Sequence, residues 1–284
     1  MTKIDILALI NSRYNNFTNT EKKVASYVLE NTKDVIYMSI TDLAEVCGVG
    51  ESSVFRFCKT LKLRGYQEFK IALAHNAAIG NEMPQISSKV TMEDTIEELS
   101  AKMLSANVSA LTETHNLIDY NDVAKAVSLI IKGERIHFFG VGSSLITALE
   151  AKSKFMRVTN KTECTIDSHL QIMSASLMTK KDVAVLISYS GSTKDTIEVA
   201  KVAKENGATL IVITRFTKSP LTSYADITLL CGGNEGPLQG GSLTAKISQL
   251  YLLDLLYTEY FKLTSEESSA NKESTANAVI EKMM

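Results

Sequence analysis

The stretch VAVLISYSGSTKDTIEVAK, residues 183–201, begins as an apolar run. It breaks into Ser188-Tyr189-Ser190-Gly191-Ser192-Thr193 and then resumes with helical spacing. Hydroxyls gathered around one glycine, between a buried strand and the start of a helix, suit an anion. A helix N-terminus points free N–H groups outward, and glycine permits a tight turn and close backbone approach. A second loop of this kind, Gly140-Val141-Gly142-Ser143-Ser144, follows the apolar run at 135–141. The pair suggests a phosphorylated ligand held without a metal or an obligate lysine. Two better-known phosphate motifs fail. A dinucleotide fingerprint needs a third glycine where Leu145 stands, and no G-x-x-x-x-G-K-[ST] stretch occurs. The competing explanation is that these Ser and Thr residues merely cap helices.

A second constellation lies in LAEVCGVGESSVFRFCKTLK, residues 43–62. Ala44 is small where two helices would cross, Gly48 sits in the turn with Val49 beside it, and Val54 and Phe57 face inward. That spacing suits two helices packed steeply around a short turn, the second able to enter a major groove. Its exposed residues would be Glu51, Ser52, Phe55, Arg56 and Lys59. Arg56 and Lys59 could contact guanine or phosphate, and Phe55 a thymine methyl. Charge agrees. Within 47–75, Arg56, Lys59, Lys62, Arg64 and Lys70 face only Glu51 and Glu68, although the whole chain is at −2.

The elements that must position these residues divide the chain. Residues 1–80 read as helical, with apolar residues at Val24, Tyr27 and Val28 and then at Leu43 and Val46. Asn19 or Thr20 could cap one helix, and Ser39 or Thr41 the next. NEMPQISSKV (81–90) is polar and reads as a linker, and a helical pattern returns from Glu93 to Leu117. From 135 onward, short β-branched runs at 135–141, 163–166, 183–188, 210–214 and 226–230 alternate with helical patterns at 144–159, 168–178 and 194–206. This predicts a doubly wound α/β domain with a mainly parallel sheet, following an all-α domain. Residues 243–261 read as a long buried helix, and the polar tail as either a frayed helix or disordered. The expected domains are therefore 1–80, a linker at 81–92, 93–264, and a tail at 265–284.

Composition sets the class. With 284 residues, 45% hydrophobic and 22% charged, the chain has the makeup of a globular protein with one large domain or two ordinary ones. No apolar run reaches a bilayer's span, and the N-terminus lacks a signal peptide's long apolar core and cleavage site. Cys47, Cys58, Cys164 and Cys231 are scattered without a CxxC pair. This argues against a zinc site or disulfide framework and fits a reducing cytoplasm. No metal or cofactor is expected.

FFGVGSS followed by ISYSGST resembles the sugar isomerase (SIS) domain, a phosphosugar-binding α/β module, over about 120–262, including DSHLQ (167–171) and the long final helix. The resemblance implies that Ser143, Ser144, Ser188, Ser190 and Thr193 bind the sugar phosphate. Asp167 caps the helix carrying His169, which could reach the sugar, and Lys246 could meet a hydroxyl or phosphate. Residues 17–74 resemble the N-terminal domain of RpiR-type transcriptional regulators, with one departure: Gly50 stands where a polar helix-start residue is more usual, leaving capping to Glu51 or Ser52. Together these imply a transcriptional regulator of carbohydrate catabolism genes, binding double-stranded operator DNA and sensing a phosphorylated sugar as a homodimer or homotetramer. The sugar could be a pentose, hexose or N-acetylated amino-sugar phosphate. The alternative is an SIS-type isomerase or lyase, with Glu150, Glu235 and His169 as the available acid–base groups.

Overall fold

The computed structural model describes residues 5–77, 90–91, 93–233, 235–236 and 243–280. The chain packs as two units, Met1–Val108 with Asn234–Thr244 and Ser109–Gly233 with Ala245–Met284. The division falls within one helix. Of the linker expected over 81–92, all but Val90 and Thr91 lies outside the described residues.

The first unit is helical, with α1 (Ile6–Arg13), α2 (Asn19–Glu30), α3 (Thr32–Val35), α4 (Ile40–Val46), α5 (Glu51–Thr60) and α6 (Tyr66–Ala77). Its core is aromatic at the centre. Phe57 of α5 meets Phe17 and Phe69 edge to face at 5.3 and 5.7 Å. The cap of α2 is Thr18, not Asn19 or Thr20, because Thr18 stands three residues before Glu21 and the two close a capping box. Ser39 does the same for α4 with Asp42. Val46, which shares the apolar spacing with Leu43, ends α4 and is exposed.

Helix α7 (Ile96–Leu117) belongs to both units. It starts three residues after Glu93, where Thr95 and Glu98 exchange the hydrogen bonds of another capping box. The second unit continues with α8 (Tyr120–Lys132), β1 (Ile136–Gly140), α9 (Ser143–Phe155), β2 (Thr162–Cys164), α10 (Ser168–Ser176), β3 (Val183–Ile187), α11 (Lys194–Glu205), β4 (Thr209–Thr214) and β5 (Ile227–Leu230). The long helix α12 (Leu243–Leu263) and α13 (Ser265–Asn277) follow. All five strands are parallel, in the order β2-β1-β3-β4-β5.

Both faces of β1, β3 and β4 are covered, which is why these three strands read as continuous apolar runs. Phe138, Val185, Ile187, Ile211 and Ile213 pack with α8, α9 and α12. Phe139, Leu186, Leu210 and Val212 pack with α10 and α11. Of the two states expected for the polar tail, Ser265–Asn277 takes the helical one as α13. Ser268 is buried, and Asn271 Nδ2 and Thr275 Oγ1 donate to the Val158 and Arg157 carbonyls after α9. Among the described residues no helix is long and apolar enough to cross a membrane. No group of three or more His, Cys, Asp or Glu among them could hold a metal ion.

Candidate functional site

Strand order places the two hydroxyl-rich loops together. After β1 the chain moves to β2 on one side, and after β2 it returns to β3 on the other. The carboxyl ends of β1 and β3 therefore flank the switch point, where an open α/β sheet leaves a crevice. Gly140 and Ile187, the last residues of the two strands, are paired in register. Loop 141–144 and loop 188–193 thus leave adjacent strands side by side.

The backbone of each loop depends on glycine. A Cβ at Gly140 would lie 2.7 Å from the Ser144 carbonyl group, so α9 could not begin where it does. Gly191 has φ +58°, and a Cβ there would come within 2.2 Å of Ser219 Oγ.

The helix starts argue against simple capping. Gly142 is the N-cap of α9 and has no side chain to offer, which places Ser143 and Ser144 inside the first turn. Thr193 occupies the N-cap position of α11 but its hydroxyl caps nothing. Instead it faces Ser188 Oγ at 3.4 Å. Two helix N-termini therefore open beside hydroxyls not spent on capping them. Ser190 Oγ accepts from the Ser192 N–H and keeps its own proton to donate. Ser143, Ser190 and Thr193 are half-buried, whereas Ser144 and Ser188 are buried. Thr196 Oγ1, in the first turn of α11, is buried with no hydrogen-bond partner.

The remaining candidates ride on helices tied to this edge. Asp167 caps α10 as expected, accepting from the Leu170 N–H at 3.0 Å. Gln171, two residues after His169, is buried and donates through Nε2 to the carbonyls of Gly140 and Thr165, each at 2.9 Å. That holds α10 against the end of β1. Lys246 lies on α12, which Gln249 joins to Thr147 of α9 by a buried 3.0 Å hydrogen bond. His169 is exposed and Lys246 half-buried, and neither is hydrogen-bonded to the loops. Among the acid–base candidates, Glu150 is exposed on α9, while Glu235 accepts from the Thr244 N–H and hydroxyl.

In the helical unit, α4 and α5 are joined by Cys47–Gly50. Gly48 takes φ +62°, and its N–H and that of Val49 close back on the Glu45 and Ala44 carbonyls. Ala44, Val54 and Phe57 are buried as the spacing predicts, and Ser52, Phe55, Arg56 and Lys59 are exposed on α5. Gly50 is the N-cap with no side-chain bond. Glu51 caps nothing and is half-buried rather than exposed, because Thr41 Oγ1 donates to its carboxylate. Lys59 Nζ sits 5.2 Å above the Phe55 ring, and Arg56 Nη2 donates to Ser53 Oγ. The C-terminal end of α5 is anchored to α2, where Thr60 Oγ1 donates to Glu21 at 2.6 Å. Burial raises the Glu21 pKa, but hydrogen bonds from Thr60 and Thr18, helped by the Arg56 charge, outweigh it and keep the carboxyl below its ordinary value. Lys70, counted above with the basic surface, is buried. Its ammonium donates to the Met38 carbonyl at 2.9 Å, and burial lowers its pKa to about 8.

Residues 4–80 match the helix-turn-helix domain of the rpiR family, and residues 129–259 match the SIS domain. An uncharacterized HTH-type transcriptional regulator of Haemophilus influenzae is 34% identical over 279 residues, 98% of this chain and 97% of the relative. The chain belongs to the rpiR family of transcriptional regulators. Another relative, the HTH-type transcriptional regulator HexR of Pseudomonas aeruginosa, is 35% identical over 254 residues, 89% of this chain and 88% of the relative. Among solved structures, the Vibrio vulnificus NanR protein complexed with ManNAc-6P superposes with a TM-score of 0.87. It is 30% identical, and the match covers 98% of this rpiR-family chain and 99% of NanR.

Sequence reasoning missed the residues that hold the site rather than face it. Gln171 ends the DSHLQ motif, yet nothing in its spacing shows that it bonds a carbonyl 31 residues away. Glu21 signals only a capping box, and its second role appears when Thr60 is folded against it.

Proposed function

We propose that this transcriptional regulator senses a phosphorylated sugar at the crevice between β1 and β3 and binds operator DNA through the exposed face of α5. Its targets are genes of carbohydrate catabolism. The observation that carries the sensor half is the pair of helix N-termini, on adjacent parallel strands, beside hydroxyls that cap neither helix. A dianionic phosphate would accept hydrogen bonds from Ser143, Ser190 and Thr193 and from first-turn N–H groups. Buried Ser144 and Ser188 form the floor. His169 and Lys246 are assigned to the sugar end. NanR, similar along nearly its whole length, was solved with ManNAc-6P, which makes that compound the first effector to test.

For the DNA half, Arg56, Lys59, Ser52 and Phe55 form the contact face and Glu51 orients the start of α5. Two copies would present two such helices to a palindromic site, so the active species is a homodimer or homotetramer acting in the cytoplasm. Ile166, Leu170, Met173 and Leu177 support self-association. All four are exposed on and beside α10, spaced at i, i+4, i+7 and i+11, with only Asp167 and His169 charged or titratable among them. An isomerase or lyase role is disfavoured because the curated relatives are transcriptional regulators, and we assign no catalytic residue.

Calorimetric titration with ManNAc-6P and with unphosphorylated ManNAc tests the sensor half. Only the phosphorylated sugar should bind, and Ser188→Ala with Thr193→Ala should abolish that binding. Equal affinity for the two sugars would contradict the phosphate assignment.

A further inference from the structure

The candidate phosphate loop is joined to α7 by a closed ring of hydrogen bonds. Tyr189, inside the loop, donates its hydroxyl to the Gly233 carbonyl at 2.7 Å. The Gly233 N–H donates to Glu113 Oε2 at 2.8 Å. Glu113 Oε1 pairs with Arg215 Nη2 at 2.7 Å. The ring closes where the Arg215 N–H donates to the Tyr189 carbonyl at 3.1 Å, beside Thr214 Oγ1, which donates to the same oxygen. Loop 188–193, the end of β4, the segment after β5 and α7 thus share one constellation.

Helix α7 rests directly on that segment. A Cβ at Gly232 would lie 2.7 Å from both the Ala110 carbonyl oxygen and the Thr114 nitrogen, and the Gly232 N–H donates to Thr114 Oγ1. Ala110 and Thr114 are the buried residues of this 22-residue helix. Glu113 lies in the same turn. From there α7 runs N-terminally without a break to Ile96, in the unit that carries the helix-turn-helix.

We infer that the Tyr189–Gly233–Glu113–Arg215 ring transmits occupancy of the sensor crevice to α7. Glu113 and Arg215 are its positioning residues, and neither is a ligand contact. The inference rests on the sensor reading above. A phosphate that draws loop 188–193 toward the helix N-termini shifts the Tyr189 carbonyl and hydroxyl together, and both are ring members. The Glu113 carboxylate receives donors on both oxygens, so displacing either donor moves α7 relative to the sheet. A ligand alters DNA affinity only if it favours one such arrangement over another, and this ring is the element whose geometry would differ between them.

The test uses full-length protein, a duplex selected from a random pool by the unmodified protein, and three probes: ManNAc-6P, glucose 6-phosphate and ribose 5-phosphate. The probe with the largest effect on the unmodified protein is carried forward. Glu113→Gln is the first variant. Its amide can accept on one side only, because its NH2 must face either the Gly233 N–H or the guanidinium. Arg215→Lys is the second, keeping the charge but losing the fork. Each variant should bind the probe by calorimetry, and bind DNA without probe, within about twofold of the unmodified protein. The ratio of DNA affinities with and without probe, roughly 5–150-fold for coupled sites, should collapse toward one. Full retention of that ratio in both variants overturns the proposal. So does a loss of probe affinity that parallels the lost response, which would make the ring part of the binding site. If none of the probes changes DNA binding by the unmodified protein, the sensor reading fails and this inference with it.

Discussion

Lys70 and Arg56 carry the same formal charge in the same basic stretch, and their environments separate them. Arg56 stands exposed on α5, while Lys70 is buried against Met38 and Tyr66. Below about pH 8 the folded protein carries the cost of burying the Lys70 ammonium. From about pH 8 to the ordinary lysine value of 10.5 the folded state has lost the proton and the unfolded state still holds it, so stability rises with pH. Denaturant unfolding of Lys70→Met beside the unmodified protein should show a stability difference that moves in favour of the unmodified protein over that window. The change should be up to about 3 kcal/mol. A difference that stays flat with pH would contradict the buried charge. Arg56→Ala should instead leave stability nearly unchanged and weaken DNA binding. If the contact is to phosphate, the salt slope falls by about 1. If it reads a base, specific binding falls by about 1–3 kcal/mol. Unchanged affinity for specific and non-specific DNA would remove Arg56 from the interface. Charge is legible in the sequence, but desolvation is not, which is why charge alone places Lys70 with the basic surface and Glu51 among the exposed residues of α5.

At the scale of elements, most of what positions the crevice was legible. Strands β1, β3 and β4 announce themselves as short apolar runs because both of their faces are buried. The glycines of the two loops mark where backbone must pass close to backbone. Helix α8 is the element the sequence pattern hides: its inward face is apolar at Val123, Ala126, Val127 and Ile130, but those residues run almost directly into the apolar strand β1. Helix α13 was legible only as one of two alternatives, for a physical reason. It has almost no apolar face and is held by side-chain bonds from Asn271 and Thr275 to carbonyls more than 100 residues away. Gly191→Ala tests the loop as an element. The Cβ meets Ser219 and the residue must hold φ +58°, so the loop should rearrange and sugar-phosphate affinity fall at least tenfold, while ligand-free DNA binding persists. Undiminished affinity in calorimetry would show that the crevice does not depend on this turn.

At the scale of the whole molecule, the order of parts was legible and the route between them was not. The helical unit and the α/β unit each follow from local pattern. The helical pattern from Glu93 to Leu117 foretells α7 itself, but its attachment through Glu113, Thr114 and Gly232 depends on contacts between residues about 120 positions apart. On the proposed function, DNA and the sugar phosphate must influence each other's binding equally, since coupling between binding sites is reciprocal. The decisive measurement is therefore a titration of the full-length protein onto its selected duplex, alone and with each of the three saturating sugar phosphates, beginning with ManNAc-6P, or its unphosphorylated sugar. The account predicts that at least one sugar phosphate changes the dissociation constant by at least about fivefold. Its unphosphorylated sugar should leave it alone. An unchanged constant with every sugar, or an equal change with a sugar phosphate and its unphosphorylated sugar, would contradict it.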